Sequence, residues 1–379
     1  MISALQSGLT SLIMGFSLLT IQNIIMMAVG CALLYLGIKK DYEPLLLVPI
    51  GFGALLVNIP MASLMEPDGL LRHFYDAGVM TEIFPCLIFI GIGAMTDFGP
   101  LLQNPKILLL GAAGQFGIFL TLLLALFLGF SKLDAVAVGI IGACDGPTSI
   151  YVTSKYAPHL LGAVSVAAYS YMSLVPLIQP PIMRVLTSDR ERRIRMEYPK
   201  KSVSPTLKIL FPIVVTIVTC LIAPMGTPLM GMIMLGNLMR ESGVVSRLTK
   251  ASENEITNIV TLLLGLCIGA TMEGSAFLKT QTLLVLGLGF IAICLDTATG
   301  VLFGKLMCFL TKGKINPLIG AAGISAYPMA ARVVQNEGRK YDEKNWLLMH
   351  AVGANTGGQI GSVMAAAIML SVLKGMGIG

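Results

Sequence analysis

Charge is scarce in this chain. Asp, Glu, Lys and Arg make up 12% of its 379 residues, half or less of the share usual in a soluble domain. Histidine is nearly missing, and His73, His159 and His350 are too scattered along the sequence to form a metal cluster. The seven cysteines, at 31, 86, 144, 220, 267, 294 and 308, never fall in Cys-x-x-Cys spacing. They lie almost all in apolar runs and read as small packing residues, not as disulfides or metal ligands. No basic stretch precedes the first apolar run, so no cleaved signal peptide is expected. The net charge of +6 carries no nucleic-acid message, because the positive charge is concentrated in one stretch.

What is present is hydrocarbon. Hydrophobic residues account for 55% and the mean hydropathy is +0.82. Runs able to cross ~30 Å of lipid recur near 20–38, 45–62, 84–96, 107–130, 136–153, 159–186, 205–223, 257–272, 281–311, 315–335 and 346–374, which predicts roughly ten crossings. The runs are continuous and not alternating, which excludes a β-barrel. The expected fold is therefore an all-α polytopic membrane protein. Between Thr187 and Ser204 lie Arg190, Arg192, Arg193, Arg195, Lys200 and Lys201 against Asp189, Glu191 and Glu197. The positive-inside rule makes this loop cytoplasmic, and Lys39-Lys40 agrees. A topology anchor is favoured for it over a docking surface for an acidic or biotinylated partner.

The chain contains an internal repeat. Ile92-Gly-Ala-Met-Thr-Asp97 corresponds to Ile268-Gly-Ala-Thr-Met-Glu273, and Leu110-Gly111 falls on Leu286-Gly287 at the same offset. Earlier, Gly69 with Arg72 resembles Gly243 with Arg247; later, Gly139-Ile-Ile-Gly142 and Pro147 match Gly320-Ala-Ala-Gly323 and Pro328 after a short insertion. The expected organisation is N-terminal spans (1–65), repeat 1 (66–186, broken at 142–148), the basic loop (187–204), a connecting membrane segment (205–238) and repeat 2 (239–379, broken at 320–328). Paired interrupted segments of this kind point to a midplane site between inverted repeats.

Asp145 is the strongest candidate residue. It is the one charge in Val136-Ala-Val-Gly-Ile-Ile-Gly-Ala-Cys-Asp-Gly-Pro-Thr-Ser-Ile-Tyr-Val152, and an acid in hydrocarbon costs at least ~2.5 kcal/mol unless it has a function or a partner. Gly146-Pro147 beside it should break the helix. The second interrupted segment offers Asn316, Gly320, Ser325 and free carbonyls, followed by Arg332; Asn355 sits in Gly353-Ala-Asn-Thr-Gly-Gly-Gln-Ile-Gly-Ser362, read as a further interruption. One carboxylate with amide, hydroxyl and backbone oxygens suits Na⁺ and no transition metal. A buried Arg332 would hold an organic carboxylate bidentately, and its rival role is a charge snorkelling to the interface. Asp296 is expected to hydrogen-bond neighbouring threonines or a basic partner, with a place on the ion path as the alternative. Asp97 and Glu273 are expected at interfaces or helix caps.

Glu43-Pro-Leu-Leu-Leu-Val-Pro49, Gly91-Ile-Gly-Ala-Met-Thr-Asp-Phe-Gly-Pro-Leu-Leu102, Asp145-Gly-Pro-Thr148 and Ser325-Ala-Tyr-Pro-Met-Ala-Ala-Arg332 resemble the β subunit of the sodium-pumping biotin-dependent decarboxylases. That family spans the oxaloacetate, methylmalonyl-CoA, glutaconyl-CoA and malonate decarboxylase complexes. The resemblance covers residue 20 to the C-terminus. It implies decarboxylation of carboxybiotin, proton consumption, Na⁺ export and an elevator-like mechanism in the cell (inner) membrane. The partners it implies are a carboxyltransferase α subunit, a biotin carrier protein and a small membrane γ/δ subunit in an oligomeric assembly. The family's functional positions fall on Asp145, Tyr171, Asn316, Gly320, Ser325, Arg332 and Asn355. Ala354 replaces an expected proline and Cys144 an expected alanine. No Met-Lys-Met context occurs, so biotin must come from a partner. The rival function is a stand-alone Na⁺- or H⁺-coupled carboxylate transporter.

Overall fold

The computed structural model describes residues 14–197 and 203–377, and among these the regular elements are all helical. Six helices are long and apolar enough to cross a membrane, or seven if the bent pair Leu70–Val79 and Ile83–Met95 counts as one span. The fold is that of a polytopic helical membrane protein. Lys200 and Lys201 of the basic loop lie outside the described residues.

Two layers are evident. In the first, α1 (Ile21–Lys39) runs along α2 (Pro44–Val57), and α2 packs on α11 (Thr257–Ala270). Likewise α9 (Pro205–Ile222) runs along α10 (Thr227–Ser242), and α10 packs on α3 (Ile83–Met95). Both seams are closed by glycine. A Cβ on Gly53 would lie 2.5 Å from Leu266 O, and one on Gly93 would lie 1.9 Å from Ile233 O. Only a bare backbone permits that approach. The 205–238 stretch, expected as a connector, is thus a helix pair packed like the N-terminal pair.

The second layer holds α4 (Leu108–Ala113), α5 (Phe116–Phe127), α8 (Leu161–Leu186), α12 (Thr280–Leu310) and α14 (Leu348–Gly375) around the two interrupted segments. Segment 132–156 begins with α6 (Lys132–Gly139), capped by Ser131 Oγ, which accepts from Asp134 N. It tightens into a 3₁₀ turn at Ile140–Ala143 and reverses at Cys144, whose φ of 52° is left-handed. It leaves as α7 (Gly146–Tyr156). Segment 316–341 descends as a 3₁₀ helix, Pro317–Gly323, and leaves as α13 (Met329–Tyr341).

Neither segment crosses. Asp134 Oδ1 lies 3.2 Å from His159 Nε2, so segment 132–156 starts and ends at the same face. Asn316 Nδ2 donates to Arg192 O (3.1 Å) and Asp342 pairs with Arg195 (2.6 Å), so segment 316–341 also returns to its own face. The 26-residue α8 separates these faces, starting beside His159 and ending near Arg192, a rise of ~39 Å. The two segments are hairpins that enter from opposite faces. Of the runs expected to cross, those at 136–153 and 315–335 are these hairpins, because an apolar run of given length reads alike whether it crosses or returns.

The polar, glycine-rich stretch 353–362 is not an interruption either. α14 runs unbroken through it, and its glycines serve packing: a Cβ on Gly358 would lie 2.2 Å from Gly323 O. Thr299 Oγ1 donates to the backbone Asp296 O at 3.1 Å, as expected of a neighbouring threonine, but Asp296 brings its carboxylate to neither a threonine side chain nor a cation. Its fully buried carboxylate faces the Gly117 and Ile118 amides at the start of α5, where the helix dipole favours an anion.

Candidate functional site

The hairpin tips meet. Ser325 N donates to Ala143 O at 3.0 Å, and both tips line a cavity of about 330 Å³ against α2, α3, α8, α11 and α14. The first hairpin supplies Asp145, Gly146 and Pro147 to its wall, the second Ser325, Tyr327 and Pro328, and α14 supplies Gln359.

Local sequence fixes where Asp145 points. Cys144 in the left-handed region costs roughly 1–2 kcal/mol and turns the chain so that Asp145 becomes the N-cap of α7. Pro147 lies in the first turn, where its missing N–H costs no helical bond. Asp145 Oδ1 accepts from Thr148 N at 3.1 Å, and Oδ2 accepts from Thr148 Oγ1 at 2.7 Å and from Ser362 Oγ at 2.9 Å. The residue is 6% exposed. No arginine or lysine satisfies it; hydroxyls and one amide do.

Ser362 Oγ has a second acceptor, Gln359 O, also at 2.9 Å. A serine has one proton to give. When that proton turns to Gln359 O, the hydroxyl and carboxylate oxygens both present lone pairs to a cation. Asn355 lies two turns before Ser362 on α14, fully buried. Its Nδ2 donates to Ile324 O (2.6 Å), and its Oδ1 has no donor within hydrogen-bonding distance. Ser325 Oγ donates to Gly358 O at 2.9 Å. Carboxylate, hydroxyl and amide oxygens fit a hard cation such as Na⁺. Among the described residues no group of three His, Cys, Asp or Glu could hold another metal.

Other expected site residues lie elsewhere. Asn316 caps the descending limb of the second hairpin at its mouth: Oδ1 accepts from Leu318 N (2.9 Å) and Nδ2 donates to Arg192 O and Ile194 O. Gly320 packs against α12, where a Cβ would lie 2.0 Å from Gly300 O. Tyr171 hydrogen-bonds Leu286 O at 2.6 Å and meets Phe290 edge-on. Arg332, expected buried, lies exposed on α13, close to Tyr327 in the cavity wall. Asp97 accepts from Gly99 N (2.8 Å) at a helix end, and Glu273 precedes a short helix.

The structure adds four residues. Thr148, Ser362 and Gln359 surround Asp145, and Tyr169 faces it. A Cβ on Gly146 would lie 2.7 Å from the Tyr169 hydroxyl, which is buried without a hydrogen-bond partner. In Asp145-Gly-Pro-Thr148 the aspartate is an N-cap signal readable in sequence, and it places Thr148 at the third helical position beneath it; Ser362 and Gln359 carry no local signal.

Fold and site together define a class: a multi-pass helical membrane protein with a cation-competent oxygen cluster where two opposed hairpins touch. The chain belongs to the Na⁺-transporting oxaloacetate decarboxylase beta subunit family, whose sequence model matches residues 22–373. It is 54% identical to the glutaconyl-CoA decarboxylase subunit beta of Acidaminococcus fermentans, over 97% of this chain and 98% of the relative. It is 52% identical to the methylmalonyl-CoA decarboxylase subunit beta of Propionigenium modestum (94% and 96% covered). It is 48% identical to the oxaloacetate decarboxylase beta chain of Klebsiella pneumoniae (97% and 100%). It is a membrane-embedded subunit of a decarboxylase, and such subunits work in complexes.

Proposed function

We propose that this subunit decarboxylates carboxybiotin brought by a separate carrier protein and couples CO₂ release to Na⁺ export. The carrying observation is the buried, uncharged oxygen cage around Asp145 at the meeting point of both halves of the chain. Asp145, Ser362, Thr148, Ser325 and Asn355 are the proposed cation ligands. Arg332, at the exposed edge by Tyr327, receives the incoming carboxylate with its planar fork. Tyr169 or Tyr171 relays the proton that decarboxylation consumes. Carboxybiotin loses CO₂ readily once protonated, so a proton delivered away from bulk water starts the step. A cation and a proton compete for the same carboxylate, which links ion occupancy to proton transfer. The specific acid or acyl-CoA is chosen by a carboxyltransferase subunit, and a small membrane γ/δ subunit completes the assembly.

The opposed hairpins and the two matching helix pairs support two inverted repeats, and the cavity between the layers supports an elevator-like movement of the hairpin layer against the α2–α3–α10–α11 layer. Family membership sets aside the stand-alone transporter. In the purified intact complex, Asp145→Asn is expected to abolish Na⁺-dependent decarboxylation with assembly unchanged. Substantial Na⁺-stimulated turnover in that variant would sink the assignment.

A further inference from the structure

The stretch joining the two halves is not a loose tether. Ser188 opens one helical turn, Asp189–Arg192, with a capping box to Glu191. Arg192 is turned inward and is 8% exposed. Its Nε donates to Thr187 Oγ1 (2.9 Å), Nη1 to Asp189 Oδ1 (3.0 Å), and Nη2 to Arg184 O (2.7 Å) and Thr187 O. The guanidinium lies 4.6 Å from the centre of the Tyr341 ring.

The same turn grips both ends of the second hairpin. At its start, Asn316 Nδ2 donates to Arg192 O (3.1 Å) and Ile194 O (2.8 Å). At its end, Asn345 Nδ2 donates to Arg192 O (3.0 Å), Arg195 pairs with Asp342, and Arg184 pairs with Glu337 at 2.5 and 3.0 Å. A topology anchor needs only charge in water. A buried guanidinium with its donors spent on the turn that presents these carbonyls does something else: it fixes a shape.

We propose that Arg192 is a positioning residue. By clamping both ends of the second hairpin it sets where Ser325 meets the first hairpin, and Asn316 acts through this clamp instead of touching the ion. The inference rests on the cation site proposed above. Arg192 and Asn316 lie at the hairpin's mouth, Ser325 at its tip, so the clamp alters ion affinity without contributing a ligand.

The test uses the intact purified complex, with the Na⁺ concentration for half-maximal decarboxylation and kcat measured separately. Arg192→Ala and Asn316→Ala are each expected to raise half-saturating Na⁺ about five- to tenfold, as the loss of a buried hydrogen bond does. The double variant is expected to be no worse than the worse single, because both break one network. Arg192→Lys keeps the charge without the fork and should fall between Arg192→Ala and the native protein. Additive defects would make Asn316 an independent ligand and overturn the clamp, as would normal Na⁺ dependence in an assembled Arg192→Ala complex. If Arg192→Ala does not assemble, Asn345→Ala, which removes one donor to the Arg192 carbonyl, takes its place in the same cycle. Asp145→Asn run alongside separates the failures: Na⁺ stimulation surviving there overturns the cation site beneath the clamp, whereas its loss with an unaffected Arg192→Ala overturns the clamp alone.

Discussion

Tyr169 and Tyr171 stand two positions apart on α8, and that spacing turns them ~200° around a helix, so only one can face Asp145. The structure turns Tyr169 to the acid and Tyr171 to α12. The resemblance puts the functional tyrosine at Tyr171 in Ala168-Tyr-Ser-Tyr-Met172; which of the two faces the acid is decided by rotation of α8, which packing on α12 sets and local sequence does not. Both single Phe variants remove one hydroxyl and keep the ring. Tyr169→Phe is expected to slow decarboxylation at saturating Na⁺ about tenfold or more, as loss of a proton-transfer group does. Tyr171→Phe is expected to act mainly on stability, by about 1 kcal/mol for its bond to Leu286 O. Single-turnover rates beside thermal melts of the same preparations separate these effects, and equal rates in native and Tyr169→Phe proteins would remove Tyr169 from the proton path.

Hairpins were half legible. Gly142, Pro147, Gly323 and Pro328 announced where the chain breaks, because glycine and proline act on the backbone directly. Whether each segment crossed or returned was not legible, since the return depends on Asp134 meeting His159 and Asp342 meeting Arg195 across long separations. The glycines of α14 misled in the opposite direction: they thin a continuous helix for close approach. Gly320 is the same device on the second hairpin. Gly320→Ala is expected to destabilise the protein by about 1–3 kcal/mol through overpacking against Gly300, with the Na⁺ dependence of the surviving complex unchanged. Selective loss of Na⁺ affinity at normal thermal stability would instead give Gly320 a direct place in the ion site. At the hairpin's mouth, the Arg195 guanidinium beside Asp342 holds its carboxyl below the usual aspartate range. A depressed carboxylate contributes stability above its unfolded value, about 3.9, and loses that contribution as pH falls through the folded value. Asp342→Asn should therefore lower the melting temperature slightly at neutral pH, and the difference from the native protein should vanish in strong acid. A difference that persists in acid would assign the effect to something other than the ion pair.

Across the whole molecule, the layers touch where Thr96 Oγ1, on the α3 side, lies 3.3 Å from Gln359 Oε1 on α14. If the hairpin layer slides as proposed, joining these positions must stop it. A short thiol-reactive cross-linker between Thr96→Cys and Gln359→Cys is expected to block turnover, and a cleavable version should restore whatever rate the uncrosslinked double variant has. Full turnover in the cross-linked complex would mean that coupling needs no movement between the layers. The membrane class of the chain was plain from composition alone, since hydropathy is a bulk property. The two-layer arrangement was not, because lipid-facing and protein-facing apolar surfaces have the same composition.

The single backbone bond from Ser325 to Ala143 has a further meaning. Asp145 belongs to the first half of the chain, while Ser325, Asn355 and Ser362 belong to the second. Among the described residues neither half alone brings these groups together. The site is shared as an interface between two different partners would be, each half of the chain bringing what the other lacks. A defect in one half is then a defect in recognition between partners, and the natural place to look for its suppressor is the opposite hairpin tip.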